Sequence, residues 1–244
     1  MLEITGLSKI FGGLTAVGDF SMKVSQGEFV GVIGPNGAGK TTLMNLITGY
    51  LPPSSGDIRF EGTSLVGLAP YQISHHGIGR TFQVVRPFSE MSVEDNVMTG
   101  ALFSGQRAAT LAKAREAAEL PMELTGLTAK RHVMAGALTL GEKKKLELAR
   151  ALATSPRLLL LDEVMGGVNR GEVDELMLVL ERIHAAGVTI VMIEHLVEVI
   201  IALSMRVVVL NFGRKLYEGS PDEVVEHPDV IESYLGRPLD VEAA

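Results

Sequence analysis

The chain has 244 residues, no cysteine, and 29 acidic against 22 basic side chains, for a formal net charge of -7. That length accommodates one sizeable α/β core with a smaller attached part, and the missing thiols exclude disulfides, cysteine nucleophiles and cysteine metal sites. The acidic balance speaks against nucleic acid or anionic lipid as the main partner, since both select a basic footprint.

The opening Met1-Leu2-Glu3-Ile4 lacks the basic start and apolar block of a signal peptide. No apolar run approaches the ~20 residues of a membrane-spanning helix, and the most apolar stretch, Val188 to Leu210, is broken by Glu194, His195, Glu198 and Arg206. The expectation is a cytosolic chain. Leu2 and Ile4, then Phe20, Met22 and Val24, alternate with polar neighbours. With Asp57-Ile58-Arg59-Phe60 they predict half-exposed antiparallel strands. Phe29 to Ile33 is a continuous apolar run, as a buried strand should be. Gln106 to Glu119 is rich in good helix formers, with Pro121 expected to interrupt the helix. Leu158 to Leu161 is a second buried run. Val173, Leu176, Met177, Leu180 and Ile183 recur at helical spacing. Val188 to Ile193 and Arg206 to Leu210 are further buried strands, followed by a turn at Asn211-Phe212-Gly213 and a hairpin arm through Tyr217.

Buried strands alternating with amphipathic helices predict an α/β fold with a mostly parallel sheet. An antiparallel β part accompanies it. The region 85–154 has no strand signal and is expected to be an inserted helical subdomain, with 1–84 and 155–244 forming the core of a single domain.

Gly34-Pro35-Asn36-Gly37-Ala38-Gly39-Lys40-Thr41 fits G-x-x-x-x-G-K-[ST] between a predicted buried strand and a helical pattern. Its glycines let successive N–H groups turn inward on phosphate oxygens, and the helix start adds its positive dipole end. Lys40 supplies a point charge to the β- and γ-phosphates, and the Thr41 hydroxyl is placed for Mg²⁺. This is a P-loop NTPase pattern, so the chain is expected to bind ATP or another nucleoside triphosphate. The run Leu158 to Leu161 ends in Asp162-Glu163. The carboxyl ends of parallel strands are where open α/β sheets bind ligand. Asp162 would hold Mg²⁺ through its water shell and Glu163 would act on the attacking water as general base. The histidine pairs Glu194-His195 and His75-His76 lack metal-ligand spacing such as H-E-x-x-H.

Three further segments narrow the reading. Leu138-Thr139-Leu140-Gly141-Glu142-Lys143-Lys144-Lys145 resembles the LSGGQ signature of ABC ATPases, Gln83 in Arg80-Thr81-Phe82-Gln83 resembles their Q-loop glutamine, and His195 resembles their switch histidine. The order matches the ABC pattern over essentially the whole chain. Phe11 to Val17, Asn45 to Gly49, Gly79 to Gln83 and Val230 to Gly236 are similar to the ATPases of branched-chain amino-acid importers of the LivG type. The resemblance implies a RecA-like core and ATP hydrolysis that energises import of branched-chain or related small polar amino acids. Exporter ATPases and soluble ABC proteins acting on nucleic acid or ribosomes stand as alternatives. It also implies Phe11 stacked on adenine, with Val17 and Thr42 in the nucleotide-binding set. Gln83 would ligate Mg²⁺, His195 would contact the γ-phosphate, and Thr139, Gly141 and Glu142 would complete the site of a second ATPase subunit. The implied partners are transmembrane permease subunits, that second ATPase and, indirectly, an external solute-binding protein, at the cytoplasmic face of the membrane.

Thr139 and Glu142 also have a local reading, because T-x-x-E is a capping box for a helix running to Leu152. Three positions depart from the family pattern. Glu142 puts a carboxylate where an amide is usual, with Lys143, Lys144 and Lys145 as its expected offset and weaker ATP closure as its expected effect. Val164 replaces a proline, and Leu196 stands where an aspartate commonly follows the histidine.

Overall fold

The computed structural model describes residues 1–105, 108 and 110–235. These fall into two compact units, one comprising Met1–Ile73 and the chain from Thr189 onward, the other Ser74–Val188.

The first unit opens with β1 (Leu2–Phe11) and β2 (Leu14–Val24), joined through Gly12 and Gly13, both at positive φ. Positive φ at both central residues is the hairpin turn that matches strand twist, and glycine adopts it without steric cost. The chain continues through β3 (Phe29–Ile33), α1 (Lys40–Ile47), β4 (Ser55–Phe60), β5 (Thr63–Ser64) and α2 (Pro70–His75). Strands β2, β1, β4 and β5 lie in that order in an antiparallel sheet, with Leu2 opposite both Val24 and Phe60. Leu2, Ile4, Phe20, Met22, Ile58 and Phe60 are buried while their neighbours are more exposed, so the alternating pattern is the inward face of this sheet.

The second unit holds β6 (Ile78–Arg80), α3 (Val93–Leu102), α4 (Leu111–Leu124), α5 (Leu140–Leu152), β7 (Leu158–Asp162) and α6 (Arg170–Ala185). Strands β6 and β7 pair in parallel, Ile78 against Leu158 and Arg80 against Leu160. All four leucines of β7 are fully buried, each contributing about 1.5–3 kcal/mol relative to exposure. The helices α3, α4 and α5 pack through Val97, Ala101, Ala114, Ala118, Leu146 and Ala149. Small residues let the axes approach: a Cβ on Gly100 would lie 2.4 Å from the Arg150 carbonyl oxygen.

Returning to the first unit, the chain forms β8 (Thr189–Ile193), α7 (Val197–Leu203), β9 (Arg206–Asn211), β10 (Arg214–Gly219) and α8 (Pro221–Glu226). Strand β3 lies between β8 and β9, parallel to both, and β10 returns antiparallel on β9. Phe212 and Gly213, both at positive φ, make the expected turn. Gly31 on β3 leaves room for α7, since a Cβ there would meet Ile200 Cγ2 at 2.5 Å.

One expectation is corrected. Pro121 does not interrupt its helix but sits inside the last turn of α4, where its carbonyl accepts from the amide and hydroxyl of Thr125. Close to the end of the helix only one intrahelical bond is lost to the missing N–H. The helix starts at Leu111, and the expected start at Gln106 lies outside the described residues. Strand β6 carries no periodic signal in its three residues. The unit Ser74–Val188 contains the helical region 85–154 together with β6, β7 and α6.

Candidate nucleotide site

In the first unit, the loop after β3 is shaped by glycines whose absent side chains the structure requires. A Cβ on Gly34 (φ 149) would lie 2.1 Å from the Leu210 carbonyl oxygen, and one on Gly39 (φ 102) 2.4 Å from that of Ala16. Neither position admits a side chain. Pro35 is half-buried, Asn36 and Gly37 form the exposed crest, and Ala38 is buried beneath it. Helix α1 starts after Gly39 with no side-chain cap and no acid in its first turn. Its first N–H groups and dipole therefore face the loop without an internal anion, the arrangement that binds phosphate. Lys40 is buried, with Nζ donating to the carbonyls of Gly34 (2.6 Å) and Pro35 (3.0 Å). The Thr41 side chain is exposed, Thr42 half-buried.

Val17 is fully buried and backs the loop, its Cγ2 being 3.5 Å from the position of a Gly39 Cβ. Phe11 ends the β1 hairpin with 43% of its surface exposed and Lys9 Nζ 5.0 Å from its ring centre. His195 emerges from the carboxyl end of β8, beside the end of β3 that feeds the loop. It is exposed, and its amide donates to the carboxylate of the buried Glu194 at 3.3 Å. Leu196 occupies the N-cap of α7 and offers no side-chain bond.

In the second unit, β6 and β7 deliver Gln83 and Asp162-Glu163 from adjacent carboxyl ends. The Gln83 side-chain amide donates to the Glu163 carboxylate. Glu163 has φ 52, a left-handed conformation costing a non-glycine residue about 1–2 kcal/mol, as is common where a side chain is held for function. Asp162 is buried and paired with Arg80 at 3.0 Å, both side chains below a tenth exposed. Arg80 was not singled out for this by sequence reasoning. An arginine two residues along a parallel partner strand from the acid has no recognisable spacing. Val164, in place of the usual proline, is buried apolar packing.

Helix α5 begins with the expected capping box: the Glu142 amide donates to Thr139 Oγ1 (3.3 Å) and the Thr139 amide to Glu142 Oε2 (3.0 Å). Gly141 is buried against the Glu172 carboxylate. Of the three lysines expected to offset Glu142, Lys145 contributes, last among the causes, and the main share comes from elsewhere. Lys130 hydrogen-bonds Glu142 and is the main cause of its carboxyl being held below the ordinary glutamate value. The Thr139 amide assists, against the opposing pull of burial. Lys145 pairs with Glu175, and Lys144 is buried with Nζ 3.2 Å from the backbone carbonyls of both Gln83 and Glu163. A helix turns each successive side chain by about 100°, so three adjacent lysines cannot share one task.

Residues 17–166 match the family model described as ABC transporter, and residues 214–240 that of the branched-chain amino acid ATP-binding cassette transporter. The chain is 38% identical to the high-affinity branched-chain amino acid transport ATP-binding protein BraF of Pseudomonas aeruginosa, covering 97% of this chain and 98% of that protein. It is 40% identical to LivG of Salmonella typhimurium over the same shares. Among solved structures, the ADP conformation of MJ1267, an ATP-binding cassette of an ABC transporter, superposes with a TM-score of 0.86 at 31% identity, covering 97% of this chain and 99% of that one.

Proposed function

The chain belongs to the ABC transporter family of ATP-binding proteins, and from that premise we propose that it is the ATPase driving import of branched-chain or related small polar amino acids. The match of residues 214–240 to the branched-chain family carries the choice of import and cargo class. Among the described residues no helix is long and apolar enough to cross a membrane. The proposed partners are permease subunits, a second ATPase of this kind and an external solute-binding protein, at the cytoplasmic membrane face. Phe82, Val84 and Phe88 expose apolar surface around Gln83, which suits a segment that docks on a permease and reports its state.

In this reading the backbone of Gly34–Gly39 and the ammonium of Lys40 hold the β- and γ-phosphates. Phe11 stacks on the adenine, with Val17 behind the loop and Thr42 on the same helix. The hydroxyl of Thr41, the amide of Gln83 and the carboxylate of Asp162 are hard oxygen donors of the kind Mg²⁺ selects. Mg²⁺, when bound, spreads the charge developing on the transferred phosphoryl group. Glu163 takes a proton from the attacking water as its oxygen bonds to the γ-phosphorus and the bond to ADP breaks. His195 orients that water. The hydrogen bond from Gln83 to Glu163 must be exchanged first, since it occupies the base. Thr139, Gly141 and Glu142 present the start of α5 to the nucleotide of the second ATPase.

Glu163→Gln tests the base. The variant is expected to bind ATP normally and lose turnover by about 10²–10⁴-fold, and near-normal hydrolysis would refute the assignment. Recovery of permeases and a second ATPase with the tagged chain from gently solubilised membranes would support the assembly. Recovery of ribosomal or DNA-bound proteins alone would remove it.

A further inference from the structure

Helix α5 places three charged side chains, Lys144, Glu147 and Arg150, three residues apart against the segment that leaves β6. Glu147 Oε1 accepts from the Phe82 amide (3.0 Å), and Arg150 donates to the Arg86 carbonyl (3.0 Å) with its guanidinium 4.8 Å from the Phe88 ring centre. These two grip the segment at positions with no assigned chemistry. Lys144 differs. Its Nζ donates to the backbone carbonyls of Gln83 and Glu163, at 3.2 Å each, the two residues whose side chains meet in a hydrogen bond of their own.

We infer that Lys144 is a positioning residue for hydrolysis, joining the start of α5 to the backbones of Gln83 and Glu163 so that the two side chains are aimed together. This rests on Glu163 as the general base and Gln83 as the metal-binding amide. Three observations support it. Lys144 is 3% exposed, and an ammonium so buried persists only when hydrogen-bonded. Glu163 occupies the left-handed region (φ 52), which a non-glycine residue holds only when its surroundings over-determine it, and a charged donor on its carbonyl is such a restraint. Finally, the two carbonyls come from segments 80 residues apart, and an ammonium with three donors can bridge both.

Lys144 lies two residues after Glu142 on the same helix, so a shift of α5 reaches the base and the metal-binding amide at the same moment. Loss of the ammonium frees the backbones of Gln83 and Glu163 without removing any group that touches nucleotide. The expected signature is therefore a fall in kcat with binding intact.

The test compares Lys144→Met, Lys144→Arg and Glu163→Gln in the full chain. It reads kcat and KM for ATP, Mg-ATP affinity, and backbone amide exchange. Lys144→Met is expected to lower kcat about 10- to 100-fold, leave KM and affinity within about threefold, and speed exchange at Gln83 to Phe88 and in the turn after Glu163. Lys144→Arg, which keeps the charge and the donors, is expected to recover most of that loss. Wild-type kcat in Lys144→Met overturns the inference, as does an equal loss in both variants with unchanged exchange. Should Lys144→Met not fold, Lys144→Gln is read the same way. Normal turnover in Glu163→Gln overturns instead the base assignment beneath it, which separates the two failures.

Discussion

The phosphate loop is one uninterrupted stretch, Gly34–Thr41, built from backbone, whereas the acid side assembles Arg80, Gln83, Lys144 and Glu163 from separated segments through side-chain bonds. In the loop the information lies in absent side chains: Gly34 and Gly39 are glycine because carbonyls occupy the space a Cβ would need. On the acid side it lies in present ones, where a buried guanidinium and a buried ammonium hold a carboxylate and two carbonyls in register. A backbone-built site is robust to changes elsewhere and intolerant within its own few residues. A side-chain network can be broken from a distance.

That contrast can be broken at several points. The largest effect is expected for Arg80→Met, which leaves the buried Asp162 without its ion-pair partner. Unfolding free energy should fall by about 3–5 kcal/mol, measured by denaturant titration, and a loss below 1 kcal/mol would show that the pair does not organise the acid side. Gly34→Ala should cost about 3 kcal/mol, from a positive φ and a collision with the Leu210 carbonyl, and abolish nucleotide binding. Retained binding would mean that the loop adapts more freely than its glycines imply. A smaller effect of opposite sign is expected where the family pattern is missing. Leu196→Asp should supply the absent cap of α7 and raise stability by about 1 kcal/mol, seen as an upward shift in melting temperature.

The smallest effect concerns Glu142, whose carboxyl is held below its ordinary value chiefly by Lys130. A lowered carboxyl contributes stability that is full above the unfolded value of about 4.5 and lost as pH falls through the folded one. Solvent screening keeps it below about 1 kcal/mol. The melting temperatures of the wild type and Glu142→Gln should converge on acidification, and a constant gap would show that the charge is not responsible.

How much was legible beforehand follows the same division. The antiparallel strands, the leucine strand before Asp162, the turn at Asn211–Gly213 and the Thr139–Glu142 capping box were all readable, because each depends on residues within a few positions of one another. Strand β6 was missed because three residues carry no period, and Pro121 was misread because its consequence depends on how far the helix continues beyond it. Of the proposed functional set, the loop and the acids announce themselves by spacing. Arg80 and the inward-turned Lys144 do not, and Glu142 is served chiefly by Lys130, with a smaller share from Lys145, where the linear order suggested all three adjacent lysines.

The amino-acid order by itself determined the phosphate loop, the acidic strand end and the family, since glycine conformations, strand burial and helix caps are decided by neighbours along the chain. Only the tertiary structure decided which cation serves which carboxylate and which helix holds the backbone of Glu163, the proposed base. Those pairings depend on the direction in which each side chain leaves its element, and on partners up to 80 residues away that no local spacing brings together.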